Sequence, residues 1–317
     1  MTMFAAPPNI EAQIWSQVPD ELQLWDRESE FVRVKRQGQK LGSFLEGPCF
    51  DLAGNLYVVD IAFGRILRVD PDKRWTVVAE YDGEPNGLKI HQDGRIFVAD
   101  HKLGILLLDP EQRSVRPFLT RYRFEPFKGV NDLFFAANGD LYFTDQGSTG
   151  LQDPTGRVFR LRTTGELDLL IANGPSPNGL VLNLEEKTLY VCMTRANSVW
   201  RVPLLPNYGG VDKVGAMLQL SGSYSGGPDG IAIDEDGNLY VCHPGLGSVW
   251  VFDRFGEPIY RIKSPAGRST TNLAFGGKDR KTLFITESST GSILTAPIPH
   301  VGRQMYSHSE KPGAIAH

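Results

Sequence analysis

The chain has 317 residues with 33 basic and 37 acidic side chains, a net charge of −4, and 41% hydrophobic residues. It holds enough apolar material for a core and gives no electrostatic reason to expect a nucleic-acid or anionic-membrane partner. No apolar run approaches the roughly 18 residues that span a bilayer, and the first eleven residues lack the regions of a signal peptide, so a soluble, cytoplasmic protein is expected.

The 34 glycines and 21 prolines exceed the roughly 12% that these residues average together, which marks a turn-rich chain. Residues 9–25 are the only helical candidate, limited by Pro7, Pro8 and Pro19. Six similar segments follow, at residues 51–60, 91–100, 136–145, 184–193, 234–243 and 278–287, each a turn leading into a strand such as Leu56-Tyr57-Val58-Val59-Asp60. Their first strand residues, Leu56, Ile96, Leu141, Leu189, Leu239 and Leu283, are spaced by 40, 45, 48, 50 and 44 residues, the size of a propeller blade. A Gly or Asn turn and a further strand follow each one. Strands of β-branched and aromatic residues at near ten-residue intervals argue for an all-β chain.

The pattern predicts an all-β, six-bladed β-propeller with four-stranded blades around a central channel, which leaves only short, protected sheet edges. Residues 1–30 are expected to form an N-terminal extension and residues 31–300 a single propeller domain. The ring is expected to close through an outer strand at residues 31–37, and residues 301–317 to form a loose C-terminal tail. Cys49, Cys192 and Cys242 form no CxxC pair and are expected as packed thiols.

Upstream of each landmark stands one carboxylate or amide: Glu46, Asn86, Asn131, Asn178, Asp229 and Asn272, ten or eleven residues before it. Singly, an Asn-Gly or Asp-Gly reads as a turn dipeptide. Six together, on innermost strands, predict a ring of side chains around one point near the channel mouth. Oxygen donors without thiol or imidazole suit Ca²⁺, with Mg²⁺, Mn²⁺ or Zn²⁺ as alternatives. A second set, Asp60, Asp100, Asp145, Met193, His243 and Glu287, ends the next strand of each repeat, with His101 beside Asp100. It reads either as support for the first ring or as ordinary strand-end chemistry. No GxSxG, HExxH, P-loop or GxGxxG motif is present, which removes support for serine hydrolases of that type, zincins, nucleotide triphosphatases and Rossmann enzymes.

On these residues the chain resembles the senescence-marker-protein-30, gluconolactonase and luciferin-regenerating group of six-bladed propellers. The specific segments are Glu46-Gly47-Pro48, Asn131-Asp132, Asn178-Gly179-Leu180, Pro228-Asp229-Gly230 and Thr271-Asn272-Leu273. The resemblance implies one divalent cation, usually calcium, held by Glu46, Asn131, Asn178 and Asp229, and hydrolysis of a small-molecule lactone. Asp229 is then the catalytic acid/base, or alternatively the nucleophile. Asn86, His101, Asn131, Asp145 and Asn272 are candidate substrate-binding residues. Related diisopropylfluorophosphatase-like propellers use a similar set on phosphotriesters, which makes a phosphotriesterase-like hydrolase an alternative. A non-catalytic ligand-binding propeller is another. The 145–160 stretch also resembles strictosidine-synthase-like propellers, but retention of all four ligand positions argues against that chemistry. The approach to Asn131, residues 121–129, departs from the sugar-lactonase pattern. Tyr122, Phe124, Phe127, Phe63 and Tyr224 are expected at the pocket mouth, so that an aromatic or alkyl lactone fits as well as an aldonolactone.

Overall fold

The computed structural model describes residues 6–205, 209–222 and 226–309. Six four-stranded antiparallel sheets, each a meander running outward from the channel, are arranged as a six-bladed propeller. The innermost strands of the first four blades are Leu45–Phe50, Pro85–Ile90, Val130–Phe135 and Pro177–Leu182; those of the last two are Ile231–Ile233 and Thr270–Gly276. The landmark segments form the second strands, Leu56–Asp60, Ile96–Asp100, Leu141–Asp145, Thr188–Met193, Leu239–His243 and Thr282–Glu287.

The apolar side chains of these strands collect in six clusters, one between each pair of neighbouring blades. Both faces of each sheet are therefore buried, which is why the landmark strands read as continuous apolar runs rather than alternating ones. Cys49, Cys192 and Cys242 are free and buried in three of these clusters. Among the described residues no helix is long and apolar enough to cross a membrane.

Ring closure differs from the expectation. The outer strand of the sixth blade is Gln13–Gln17, paired antiparallel with Ser292–Pro297. Just before it, Asn9–Glu11 adds a parallel fifth strand to the fifth blade. The helical candidate at residues 9–25 thus begins with two short strands and holds only one helical turn, Asp20–Leu22. Trp15 secures the closing strand, its ring edge-on to Phe284 at 5.2 Å, and Trp75 Nε1 donates to Ser16 Oγ at 2.9 Å. Residues 31–37 instead contain one wide helical turn, Phe31–Lys35, closed by the Arg36 amide on the Phe31 carbonyl at 3.1 Å. Its apolar face joins Leu41, Ala62 and Phe63 beside the channel mouth. A chain beginning at Val18 is expected to unfold well below the intact protein in calorimetry, because Ser292–Pro297 becomes an open edge. Equal unfolding temperatures would refute closure by Gln13–Gln17.

The expected loose tail is also corrected as far as residue 309; residues 310–317 lie outside the described residues. The Glu235 amide donates to the Val301 carbonyl at 2.8 Å and the Arg303 amide to Ile233 at 3.1 Å. The Arg303 guanidinium donates to the Leu182 carbonyl at 2.9 Å and pairs with Glu186. Tyr306 stacks on Phe135 with centroids 5.5 Å apart. This strap crosses the far ends of the innermost strands. It covers an apolar cavity of about 430 Å³ whose lining includes Asp132 and Asn272.

Candidate metal centre

The opposite ends of the innermost strands open into a polar cavity of about 830 Å³, lined by Glu46, Asn86, Asn131, Asn178, Asp229 and Thr271. Strand register explains why these six share a level. Leu45, Pro85, Val130, Pro177 and Thr270 lie opposite Asp60, Asp100, Asp145, Met193 and Glu287, and the ring residue is the next one along the inner strand. In the sixth blade that residue is Thr271, not Asn272. The turn from Phe275 to Leu283 is longer than its counterparts, so counting back from Leu283 lands one residue late.

Asn272 belongs one level deeper, with Gly47, Gly87, Asp132, Gly179 and Gly230. The glycines there are not turn residues. A Cβ on Gly179 would lie 2.4 Å from the Asp229 carbonyl oxygen, and one on Gly87 would lie 2.8 Å from that of Asn131. One on Gly230 would lie 2.6 Å from Asn272 Cα. Each glycine lets its blade approach the next, which draws the preceding ring residues together. Asp132 and Asn272 fill the space left open, Asn272 Nδ2 donating to Asp132 Oδ2 across the channel at 3.2 Å. This pair floors the polar cavity and separates it from the apolar one.

The ring residues are held by their own blades. Asn131 Nδ2 donates to Gln146 Oε1 at 3.0 Å. Thr194 spends its hydroxyl proton on the Pro228 carbonyl at 2.8 Å, so it accepts from Asn178 Nδ2 at 3.2 Å. Each amide nitrogen is thereby engaged by a neighbour, leaving its oxygen as an acceptor. Glu46 is 3% exposed and its Oε2 accepts from the Gly47 amide at 3.0 Å. Burial pushes its pKa up to about 8, helped by the charge of Asp132; hydrogen bonds from Gly47, Asn272 and Thr271 only partly oppose this. Asp229 is pushed well above the carboxylate range by burial, then by the charges of Glu46 and Asp132, against hydrogen bonding from Asn178 and the nearby Arg195. Two buried or half-buried carboxylates, one raised further by the charge of the other, beside side-chain amide oxygens form a hard-oxygen set, which fits a divalent cation of the calcium type.

Other expected site residues fall elsewhere. Asp145 is fully buried, accepting from the Gly129 amide at 2.8 Å and paired with Arg157 at 2.6 Å, so it braces a loop rather than facing the cavity. Asp60 similarly pairs with Arg65, and Glu287 accepts from the Ser269 amide at 2.8 Å. His101 packs against Gly129, outside the lining, and burial together with Lys35 lowers its pKa to about 4. His243 is buried, with Nδ1 accepting from Trp250 Nε1 at 3.2 Å.

The expected aromatic mouth is absent among the described residues. Tyr122 and Phe127 pack on Phe159 and Phe143, Phe124 is 95% exposed, and Phe63 is buried beside Arg65. Tyr224 lies outside the described residues. The aromatic rings that do line the cavity are Phe31 and Phe44, and its rim carries Lys35, Arg36, Arg195 and Arg268. Sequence reasoning missed these cations. They sit between strands, in short helical turns and loops, where no repeat marks them.

Fold and site together define a six-bladed propeller with an oxygen-donor centre at one channel mouth. Residues 44–289 match the family described as SMP-30/Gluconolactonase/LRE-like region, and the chain belongs to that family. It is 33% identical over 292 residues to lactonase drp35 of Staphylococcus saprophyticus, covering 87% of this chain and 88% of that one. It is 36% identical over 274 residues to the gluconolactonase of Zymomonas mobilis, covering 77% and 76%. Regucalcin from Agrobacterium tumefaciens, described as a calcium-binding protein, shares the fold with a TM-score of 0.75 at 22% identity, over 95% of this chain and 98% of that one.

Proposed function

We propose that the protein is a divalent-cation-dependent lactonase, with calcium as the ion and Glu46, Asn131, Asn178 and Asp229 as its ligands. The observation that carries this reading is the convergence of two buried or half-buried carboxylates and two side-chain amides on the lining of one wide polar cavity. Kinship with lactonases supplies the ester chemistry. The ion, when bound, acts as a Lewis acid on the lactone carbonyl and stabilises the developing oxyanion.

The chain's own residues supply the rest. Asp229 keeps part of its surface open to the mouth, whereas Glu46 is closed off, so Asp229 is the carboxylate that meets water. It takes the proton of the attacking water and returns it to the leaving ring oxygen. Asn178 orients it. Asn86 and Thr271 complete the ring and hydrogen-bond substrate hydroxyls. The buried Asp132–Asn272 floor keeps the reacting groups at the mouth.

Chelation is expected to abolish lactone hydrolysis and added calcium to restore it, read with a pH-indicator assay; undiminished turnover after exhaustive chelation would refute the proposal. Stability gives a second test. In the chelated protein Glu46 ionises near pH 8 when folded but near its ordinary 4.5 when unfolded. The unfolded state therefore binds fewer protons between these values, and stability falls as pH rises through them. The melting temperature of the chelated protein should decline across that window and flatten with calcium, which holds the carboxylates ionised. Glu46→Gln should reduce the slope. A decline unaffected by either would refute this account.

A further inference from the structure

Among the described residues, the charges lining the polar cavity do not balance once its centre is filled. They are Lys35, Arg36, Arg195 and Arg268 against Glu46 and Asp229. A divalent cation neutralises the two carboxylates and leaves four positive side chains around the mouth of a chain whose net charge is −4. Elsewhere the buried cations are matched: Arg65 by Asp60, Arg157 by Asp145, Arg160 by Asp168. None of the four rim cations enters an ion pair among the described residues.

Arg36 carries the clearest signal. It is half-buried, its guanidinium lies over the Phe44 ring at 5.1 Å, and its Nε is buried with no hydrogen-bond partner among the described residues. A buried donor left unmatched while its side chain lines a cavity awaits an acceptor from a ligand. Arg268 has its backbone fixed by the Gly245 and Gly247 amides, which donate to its carbonyl at 2.7 and 3.1 Å, while its side chain is exposed at the rim. Lys35 donates to Ser148 Oγ at 3.1 Å and lies in the field of Glu84, but makes no ion pair among the described residues. Arginines with free guanidinium edges are suited to bidentate binding of carboxylate or phosphate.

We propose that the substrate is a polyhydroxylated lactone bearing a further anionic group, carboxylate or phosphate, away from the ester, and that Arg36, Arg268, Arg195 and Lys35 bind that group while the ester sits at the oxygen-donor ring. The proposal rests on the lactonase reading. A second anchor fixes which face of the ring meets Asp229, an advantage that a neutral lactone lacks. The basic rim also draws anions toward the mouth.

The test compares kcat/KM of the calcium-loaded protein for gluconolactone, its phosphate monoester and glucarolactone. Preference for an anionic lactone by about 10- to 100-fold is expected, shrinking at about 0.5 M salt and in the Arg36→Gln, Arg268→Gln double variant. The phosphate and carboxylate arms identify the group. Equal rates for neutral and anionic lactones, or a preference that survives both replacements, would overturn the proposal. If no lactone turns over, the lactonase reading fails separately, and calorimetry with gluconate, phosphogluconate and glucarate decides. Tighter binding of phosphogluconate or glucarate than of gluconate, lost in the double variant, supports the anion subsite; equal binding overturns it.

Discussion

Asp229→Asn lowers kcat by about 10²- to 10⁴-fold while the protein still binds calcium. Asparagine has the shape of aspartate and offers an amide oxygen to the ion, the role proposed above for Asn131 and Asn178. What it removes is the group proposed to accept the proton of water. Residual kcat within about tenfold of the parent would exclude Asp229 as the base. A single turnover in ¹⁸O-labelled water distinguishes its two chemical roles. A general base places solvent oxygen directly in the product carboxylate, whereas a nucleophilic Asp229 first delivers its own unlabelled oxygen.

Gly179→Ala is the second large effect. The added methyl carbon would sit 2.4 Å from the Asp229 carbonyl oxygen, 2.8 Å from Gly230 Cα and 2.9 Å from the Ile231 nitrogen. All three are backbone atoms of the adjacent blade, so no side chain can swing aside. Overpacking of this kind costs about 1–3 kcal/mol, and here the strain falls on the segment that presents Asp229. Lower melting temperature and weakened calcium binding are expected together. Gly215→Ala serves as the control, since nothing lies within 4 Å of the added carbon. Equal behaviour of the two variants would show that close blade approach does not hold the ring.

Blade number was legible because each blade repeats one turn and one apolar strand, and Leu56, Ile96, Leu141, Leu189, Leu239 and Leu283 mark them at blade-sized spacing. Five of the six ring residues were legible for the same reason. The sixth was not, because a longer turn between Phe275 and Leu283 shifts Asn272 into the ring position by counting, while strand pairing places Thr271 there. Closure was hidden because Gln13–Gln17 is short and polar and its partner, Ser292–Pro297, lies at the other end of the chain. Residues 31–37, richer in apolar and β-branched side chains, looked more like a strand. The glycines after Glu46, Asn86, Asn178 and Asp229 resemble turn punctuation in sequence; only the neighbouring blade reveals that they mark crowding.

Closure by Gln13–Gln17 also governs the order in which the molecule forms. Successive blades are local meanders and assemble from neighbouring residues, but Gln13 finds its place only opposite Thr295, and Asn9 opposite Arg261. On a ribosome Asn9–Glu11 therefore waits for the fifth blade and Gln13–Gln17 for the sixth. The cost of joining such distant segments is met in one late step. Mistakes in that step bring two chains together, the leading strand of one capping the last blade of another, so dilution during refolding favours the closed single ring.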